Sequence, residues 1–144
     1  VANTHPRVLA ALGKALSLEL SAVQQYMTHA CLIEQWQHTE AAVRFREEAV
    51  EEMKHSERII KRMLAIGVGP AASQLRSVIT AENLEGLLMA NIQLENDLIF
   101  HYNEAARFCQ LISDRDHSDF FQALLEEEEL HGVELGNWLQ ELQG

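Results

Sequence analysis

Proline and glycine are scarce: two prolines and seven glycines in 144 residues. So few helix breakers favour long uninterrupted helices. Cysteine is nearly absent as well. Cys31 and Cys109 are too few for a disulfide framework, and both fall at positions expected in the core, which points to a reducing, cytoplasmic compartment. Basic residues are the minority, 11 Lys and Arg against 22 Asp and Glu, for a net charge of −11. That balance excludes nucleic acid as a partner, since phosphate binding requires clustered cations, and a negative field instead concentrates cations. No apolar run reaches the roughly 18 residues of a membrane span, and no signal-like segment opens the chain, so neither membrane insertion nor secretion by the usual route is expected.

What is present is apolar spacing in steps of three and four. With 47% hydrophobic residues, the chain suffices for one domain over residues 1–144 with one sizeable core. Four stretches carry the helical seam pattern. The first runs through Leu9, Leu12, Leu16, Glu19, Val23, Tyr26, Ala30 and Ile33, the second through Phe45, Ala49, Glu52, Ser56, Ile59, Met63 and Ile66. The third takes in Leu84, Leu88, Asn91, Glu95, Leu98, Tyr102, Ala105 and Cys109, the fourth Phe121, Leu124, Glu128, His131, Leu135, Trp138 and Leu142.

Glutamates occupy seam positions where leucine is expected, and they do so in a repeat. Glu19 lies thirty-three positions before Glu52, which opens Glu52-Met53-Lys54-His55. Seventy-six positions on, Glu95 stands in the same relation to Glu128-Glu129-Leu130-His131. The only two tyrosines, Tyr26 and Tyr102, each follow the lone glutamate by seven. Chance alone supplies about one Glu-x-x-His in a chain this rich in both residues, so the register carries the signal, not the motif. Asp114-x-x-His117, at an expected helix start, shows what an unpartnered match looks like. Glu and His three apart project from one helix face. Four buried carboxylates repel one another unless cations lie between them, so the set reads as ligands for two metal ions.

The connections fit a bundle. His38-Thr39-Glu40 is a short link with Thr39 expected as N-cap, and Ser113 with Asp116 resembles a capping box at the fourth helix start. From Gly67 to about Thr80 the chain can extend roughly 45 Å, against roughly 40 Å for a helix of about 27 residues. That link can therefore leave helices two and three parallel. The expected fold is all-α: a ferritin-like antiparallel four-helix bundle with one long crossover between helices two and three.

On these residues the chain resembles the bacterioferritins, whose four helices supply a Glu from each of two and Glu-x-x-His from the other two. The resemblance spans essentially the whole chain, through Leu18 to Leu20, Gln25-Tyr26, Glu52 to His55 and Leu125 to His131. It implies iron storage and detoxification, with ferroxidase oxidation of Fe(II) by O2 or H2O2 at an intrasubunit di-iron site and ferric mineral deposited in a cage. It implies the roles too: Glu52 and Glu128 bridge two irons, Glu19 with His55 terminates one, and Glu95 with His131 terminates the other. Tyr26 is expected to hydrogen-bond a ligand carboxylate or supply an electron, with plain helix packing as the alternative. Met53 matches the axial ligand of a haem b clamped by two subunits at a two-fold interface. Two departures limit what carries over, the first in the assembly and the second at any auxiliary inner iron site. After Trp138 to Leu142 only Gln143 and Gly144 follow, with no fifth helix, so shells of 12 or 24 subunits built from two-fold dimers both stay open. Glu47 and Glu51 stand where the family often has His and Asp on its inner face. A ferredoxin-type donor is the expected partner for iron release. The alternative is a peroxide-reducing di-iron protein like rubrerythrin, although the four-cysteine domain usual there is missing.

Overall fold

In the computed structural model, which describes residues 3–144, the chain forms four long helices: α1 (Pro6–Gln35), α2 (Thr39–Ala65), α3 (Leu84–Leu111) and α4 (Arg115–Gln143). No strand occurs among the described residues.

Three of the helix ends are built alike. At the end of α1 the His38 amide reaches back to Ile33 O and the Gln37 amide to Glu34 O. Val68 and Gly67 do the same to Met63 and Leu64 after α2, and Asp114 and Ser113 to Cys109 and Gln110 after α3. This pair of bonds satisfies the last carbonyls of a helix and requires a left-handed residue at its hinge. Gln37 (φ 67°), Gly67 (φ 87°) and Ser113 (φ 61°) are those hinges. Only one is glycine, so two of the turns were invisible to a search for glycine.

The same hinges move both expected caps by one residue. Thr39 is already inside α2, whose N-cap is His38 without a side-chain cap bond. Ser113, committed to the left-handed hinge of α3, cannot cap α4. Asp114 does so, accepting from the His117 amide at 3.1 Å and meeting His117 Nδ1 at 2.9 Å. The unpartnered Asp114-x-x-His117 match is thus a helix cap. Elsewhere, His5 Nδ1 accepts from the Arg7 amide ahead of Pro6, and Asn83 Oδ1 from the Gly86 amide.

Helices α1 and α2 form one hairpin, α3 and α4 the other. Between hairpins, Tyr26 meets Glu95 while Glu19 meets Tyr102, so numbering rises along α1 as it falls along α3. His55 meets Glu127 while Glu48 meets His131, so α2 and α4 are likewise antiparallel. It follows that α2 and α3 run parallel, joined by the crossover at 66–83. That segment lies along α1, its amides at Gln74, Arg76 and Ile79 donating to Ser17 Oγ, Ser21 Oγ and Gln25 Oε1 at 3.0–3.1 Å. The three acceptors are four residues apart, one stripe of the helix.

A closed hydrogen-bond circuit fastens this strap. Ile79 N–H donates to Gln25 Oε1; Gln25 Nε2 donates to Asn91 Oδ1 at 2.9 Å. Asn91 Nδ2 therefore faces His29 Nδ1 as donor, at 3.0 Å, and His29 Nε2–H donates to Ile79 O at 2.6 Å. His29 is neutral in this arrangement, and burial lowers its pKa accordingly.

Fully buried Leu12, Ile33, Phe45, Ile59, Leu87, Leu88, Leu98, Phe121 and Leu124 form the centre of the core, each contributing about 1.5–3 kcal/mol. Phe45 sits among the rings of Tyr26, His29 and Trp138, at centroid distances of 6.2, 5.8 and 5.2 Å. Several seam residues are shallower than expected: Leu9, Val23, Ile66 and Leu84 are half-buried, and Leu142 is exposed. Cys31 is exposed rather than in the core; only Cys109 is buried. Among the described residues no helix is long and apolar enough to cross a membrane.

Candidate metal centre

The six repeat residues converge halfway along the bundle. Donor atoms of Glu19, Glu52, His55 and Glu128 lie within 4.8 Å of one another, as do those of Glu52, Glu95, Glu128 and His131. Glu52 and Glu128 belong to both groups. All four carboxylates are 0% exposed and His55 is 2% exposed, which in an apolar interior demands compensation. His55 Nδ1 lies 3.0 Å from Glu52 Oε1, 3.0 Å from Glu128 Oε1 and 3.3 Å from Glu19 Oε2. His131 Nδ1 lies 3.3–3.9 Å from Glu128, Glu52, Glu48 and Glu95.

Protein hydrogen bonds leave the centre of this cluster unsatisfied. Both oxygens of Glu52 and of Glu128, one each of Glu19 and Glu95, and Nδ1 of both histidines are buried without an aligned partner. The donor set is oxygen-rich with one imidazole per half, the chemistry that suits Fe(II). Eight inward-facing atoms, arranged as two groups sharing two carboxylates, fit a pair of divalent cations.

The tyrosines cross between hairpins. Tyr26 Oη donates to Glu95 Oε1 at 2.9 Å and Tyr102 Oη to Glu19 Oε2 at 2.6 Å. Each thereby fixes one oxygen of a glutamate that belongs to only one of the two groups and leaves the other oxygen facing the centre. Tyr102 holds a carboxylate just as Tyr26 does.

Charge is compensated in the metal-free protein by protons. Burial, followed by repulsion from Glu128, raises Glu19 from 4.5 to about 7. Burial and neighbouring carboxylates push Glu52 and Glu95 well above their ordinary value. Glu128 goes the other way: burial opposes its ionisation, but the neighbouring His131 and His55 rings hold it below the usual carboxylate range. Burial works against a charged His55 too, yet Glu128 and Glu19 raise it to about 10. The imidazoles of His55 and His131 flank Glu128 at 3.0 and 3.3 Å, where cations fit.

Several neighbours escaped the sequence reading. Glu127, in the acidic run 126–129, accepts from His55 Nε2 at 3.0 Å and from Arg58 Nη1 at 2.7 and 2.9 Å. Glu48, largely buried, approaches His131 Nδ1 at 3.8 Å. Arg58 is three residues beyond His55 on the same helix face, a spacing that could have drawn attention to it. Glu48 is likewise four residues before Glu52 on one face of α2. Met53 is not at the centre; it lies on the outside of α2, 49% exposed, with exposed Val50 one turn before it.

Fold and site together define a class: the ferritin-like four-helix bundle with a paired carboxylate–histidine interior. Comparison with known proteins gives the family. The Ferritin family, a ferritin-like domain, matches residues 9–144. The bacterioferritin of Brucella melitensis biotype 1 is 33% identical over 127 residues, 88% of this chain and 79% of that protein. The Rhodobacter capsulatus bacterioferritin is 33% identical over 125 residues, 87% of this chain and 78% of that protein. A solved structure of the Rhodobacter capsulatus protein, with a metal-free dinuclear site and haem iron on a crystallographic special position, superposes with a TM-score of 0.94. The two are 30% identical, and the match covers 99% of this chain and 89% of that one. The chain belongs to the bacterioferritin family.

Proposed function

We propose that the chain is an iron-storage ferroxidase: it oxidises Fe(II) at the buried centre and retains ferric iron in a shell of many subunits. The observation that carries this reading is the set of eight unpartnered, buried donor atoms in two groups sharing Glu52 and Glu128. In this reading Glu52 and Glu128 bridge two irons, Glu19 and His55 complete one position, and Glu95 and His131 the other. The two bound Fe(II) ions supply one electron each, so a pair reduces O2 to H2O2 or H2O2 to two waters, with two protons consumed either way. The protein's own part is to hold the ligands. Tyr26 and Tyr102 orient Glu95 and Glu19, the apolar core keeps bulk water out, and the acidic ligands give up their protons when cations arrive.

Assembly follows from the outside of the bundle. Phe100, Leu111, Met89, Leu130 and Val133 are each at least 58% exposed, apolar area left on the outside of the bundle. It supports a homo-oligomeric shell of 12 or 24 subunits built from two-fold dimers. Met53, outward and beside exposed Val50, would supply its thioether as an axial ligand to a haem b shared between two such subunits. Iron release calls for an external electron donor of ferredoxin type. Free thiols at Cys31 and Cys109 suit the reducing cytoplasm.

The test is to add Fe(II) in air in increasing excess and count irons oxidised and retained per chain. Continued uptake far beyond two per chain, co-eluting with a large assembly, is expected. Saturation at two refutes storage and leaves a rubrerythrin-like redox enzyme. Glu52→Ala and His131→Ala are each expected to abolish fast oxidation, and an unchanged rate in either rejects its ligand role. A bis-thioether haem spectrum after haem supplementation, lost in Met53→Leu, tests the haem assignment.

A further inference from the structure

The two halves of the centre match in their inner ligands but not in what stands behind them. His55 Nε2 is 3.0 Å from Glu127 Oε1, and one guanidinium nitrogen of Arg58 reaches both oxygens of that carboxylate. Across the repeat of seventy-six residues, Glu127 corresponds to Glu51 and Arg58 to Glu134. Glu51 is exposed and turned to Lys54 at 3.7 Å, and the glutamate at 134 reverses the charge of Arg58. Among the described residues His131 Nε2 has no protein hydrogen-bond partner. Its ring instead borders a surface depression shared with Glu47, Glu48, Glu51 and Glu134.

We infer that Glu127, braced by Arg58, is a positioning residue for one metal position only: it fixes His55 in the tautomer and orientation that present Nδ1 to the centre, while His131 lacks any such brace. The inference rests on the reading of the six residues as metal ligands. The physical reason is the proton count of an imidazole. A ring that gives the Nδ1 lone pair to a cation must carry its proton on Nε2, and an acceptor there stabilises that form and stops the ring from turning. A carboxylate is the stronger acceptor because it is charged. Arg58 Nη1, at 2.9 and 2.7 Å from the two oxygens of Glu127, holds the acceptor in place. The second position relies on His131 packing alone.

Anaerobic Co(II) titration, followed by visible absorption on the assembled protein and by bound metal per chain, distinguishes these statements. Wild-type protein is expected to bind two Co(II) per chain; failure to bind two overturns the ligand reading itself. Glu127→Ala is expected to weaken one of the two by about 10–100-fold and leave the other unchanged. Glu127→Gln, which keeps an acceptor oxygen but loses the charge, is expected to restore most of that affinity. Glu129→Ala removes an exposed carboxylate from the same turn of α4 and is expected to leave both positions as they were. Equal weakening of both Co(II) by Glu127→Ala, a Gln variant no better than Ala, or the same loss in Glu129→Ala would each overturn the role of Glu127. Metal-free melting of each variant shows that the bundle is intact before its titration is read.

Discussion

Replacing Glu19 by glutamine is expected to make the metal-free protein more stable at neutral pH and the metal-loaded protein less so. Glu19 is fully buried, and its carboxyl is raised from 4.5 to about 7, chiefly by burial and then by repulsion from Glu128. A carboxyl whose folded value is raised contributes most below its unfolded value, and that contribution is lost as pH rises through the folded value. For Glu19 the window therefore runs from 4.5 to about 7. At neutral pH the folded state has forfeited about 3 kcal/mol relative to a carboxyl that stays protonated. Glutamine keeps the shape and the acceptor oxygen for Tyr102 while never ionising, so Glu19→Gln recovers that amount. For a chain of this size this amounts to roughly 6–12 °C in Tm. The assay is thermal or denaturant unfolding of chelator-treated protein at several pH values from about 5 to about 8. The gain should be small at the acid end and largest at the alkaline end. With Zn(II) or Co(II) present the order should invert, because the wild-type carboxylate binds the cation and the amide does not. A gain independent of pH, or none at all, would refute the account of burial and repulsion at Glu19.

Metal-free wild-type protein should lose stability steadily as pH rises further, because His55, raised to about 10, gives up its contribution between its unfolded value and that point; constant unfolding midpoints over that range would contradict this. Tyr26→Phe and Tyr102→Phe should each cost about 1–3 kcal/mol in denaturant titrations, since each strips the donor from a buried carboxylate oxygen; a cost confined to Tyr26 would deny the equivalence of the two. Asp114→Ala should cost about 0.5–2 kcal/mol through loss of the α4 cap, whereas Thr39→Ala should cost nothing of that kind. Asn91→Leu breaks the circuit around Ile79, and hydrogen exchange at the Ile79 amide should accelerate while the amides of the α2 interior keep their protection.

The bundle was legible because its signals are periodic. Apolar steps of three and four survive any detail of packing, and the length of the link after Gly67 decides its reach without reference to side chains. The inner cluster was legible for a similar reason: a carboxylate on a leucine seam is conspicuous, and the spacing repeats. What lay outside the reading has no period. Gln37 and Ser113 take left-handed backbone where glycine is the usual sign, so helix starts shifted by one residue. Glu127 sits among four consecutive glutamates, and only the three-dimensional approach of α2 to α4 distinguishes it from Glu126 and Glu129. Leu142 and Cys31 fit the apolar pattern of their helices yet lie where no neighbouring element covers them. The strap's fastening by Gln25, His29 and Asn91 joins residues fifty or more apart and could be suspected only from Asn91, a polar seam residue outside the glutamate repeat.

The crossed tyrosines have a consequence for how the molecule comes apart. Tyr26 belongs to the first hairpin and holds a glutamate of the second; Tyr102 returns the arrangement. Neither hairpin, folded alone, has a finished interior: each would leave its own hydroxyl and carboxylates to find water where the other hairpin should be. Opening one half exposes the polar centre of both, so a state with one hairpin melted and the other intact gains the chain entropy of only one half yet forfeits the full set of cross-bonds. The two halves therefore fold and unfold as one cooperative unit, and the repeat that doubles the ligands also removes the seam along which a duplicated protein might otherwise split.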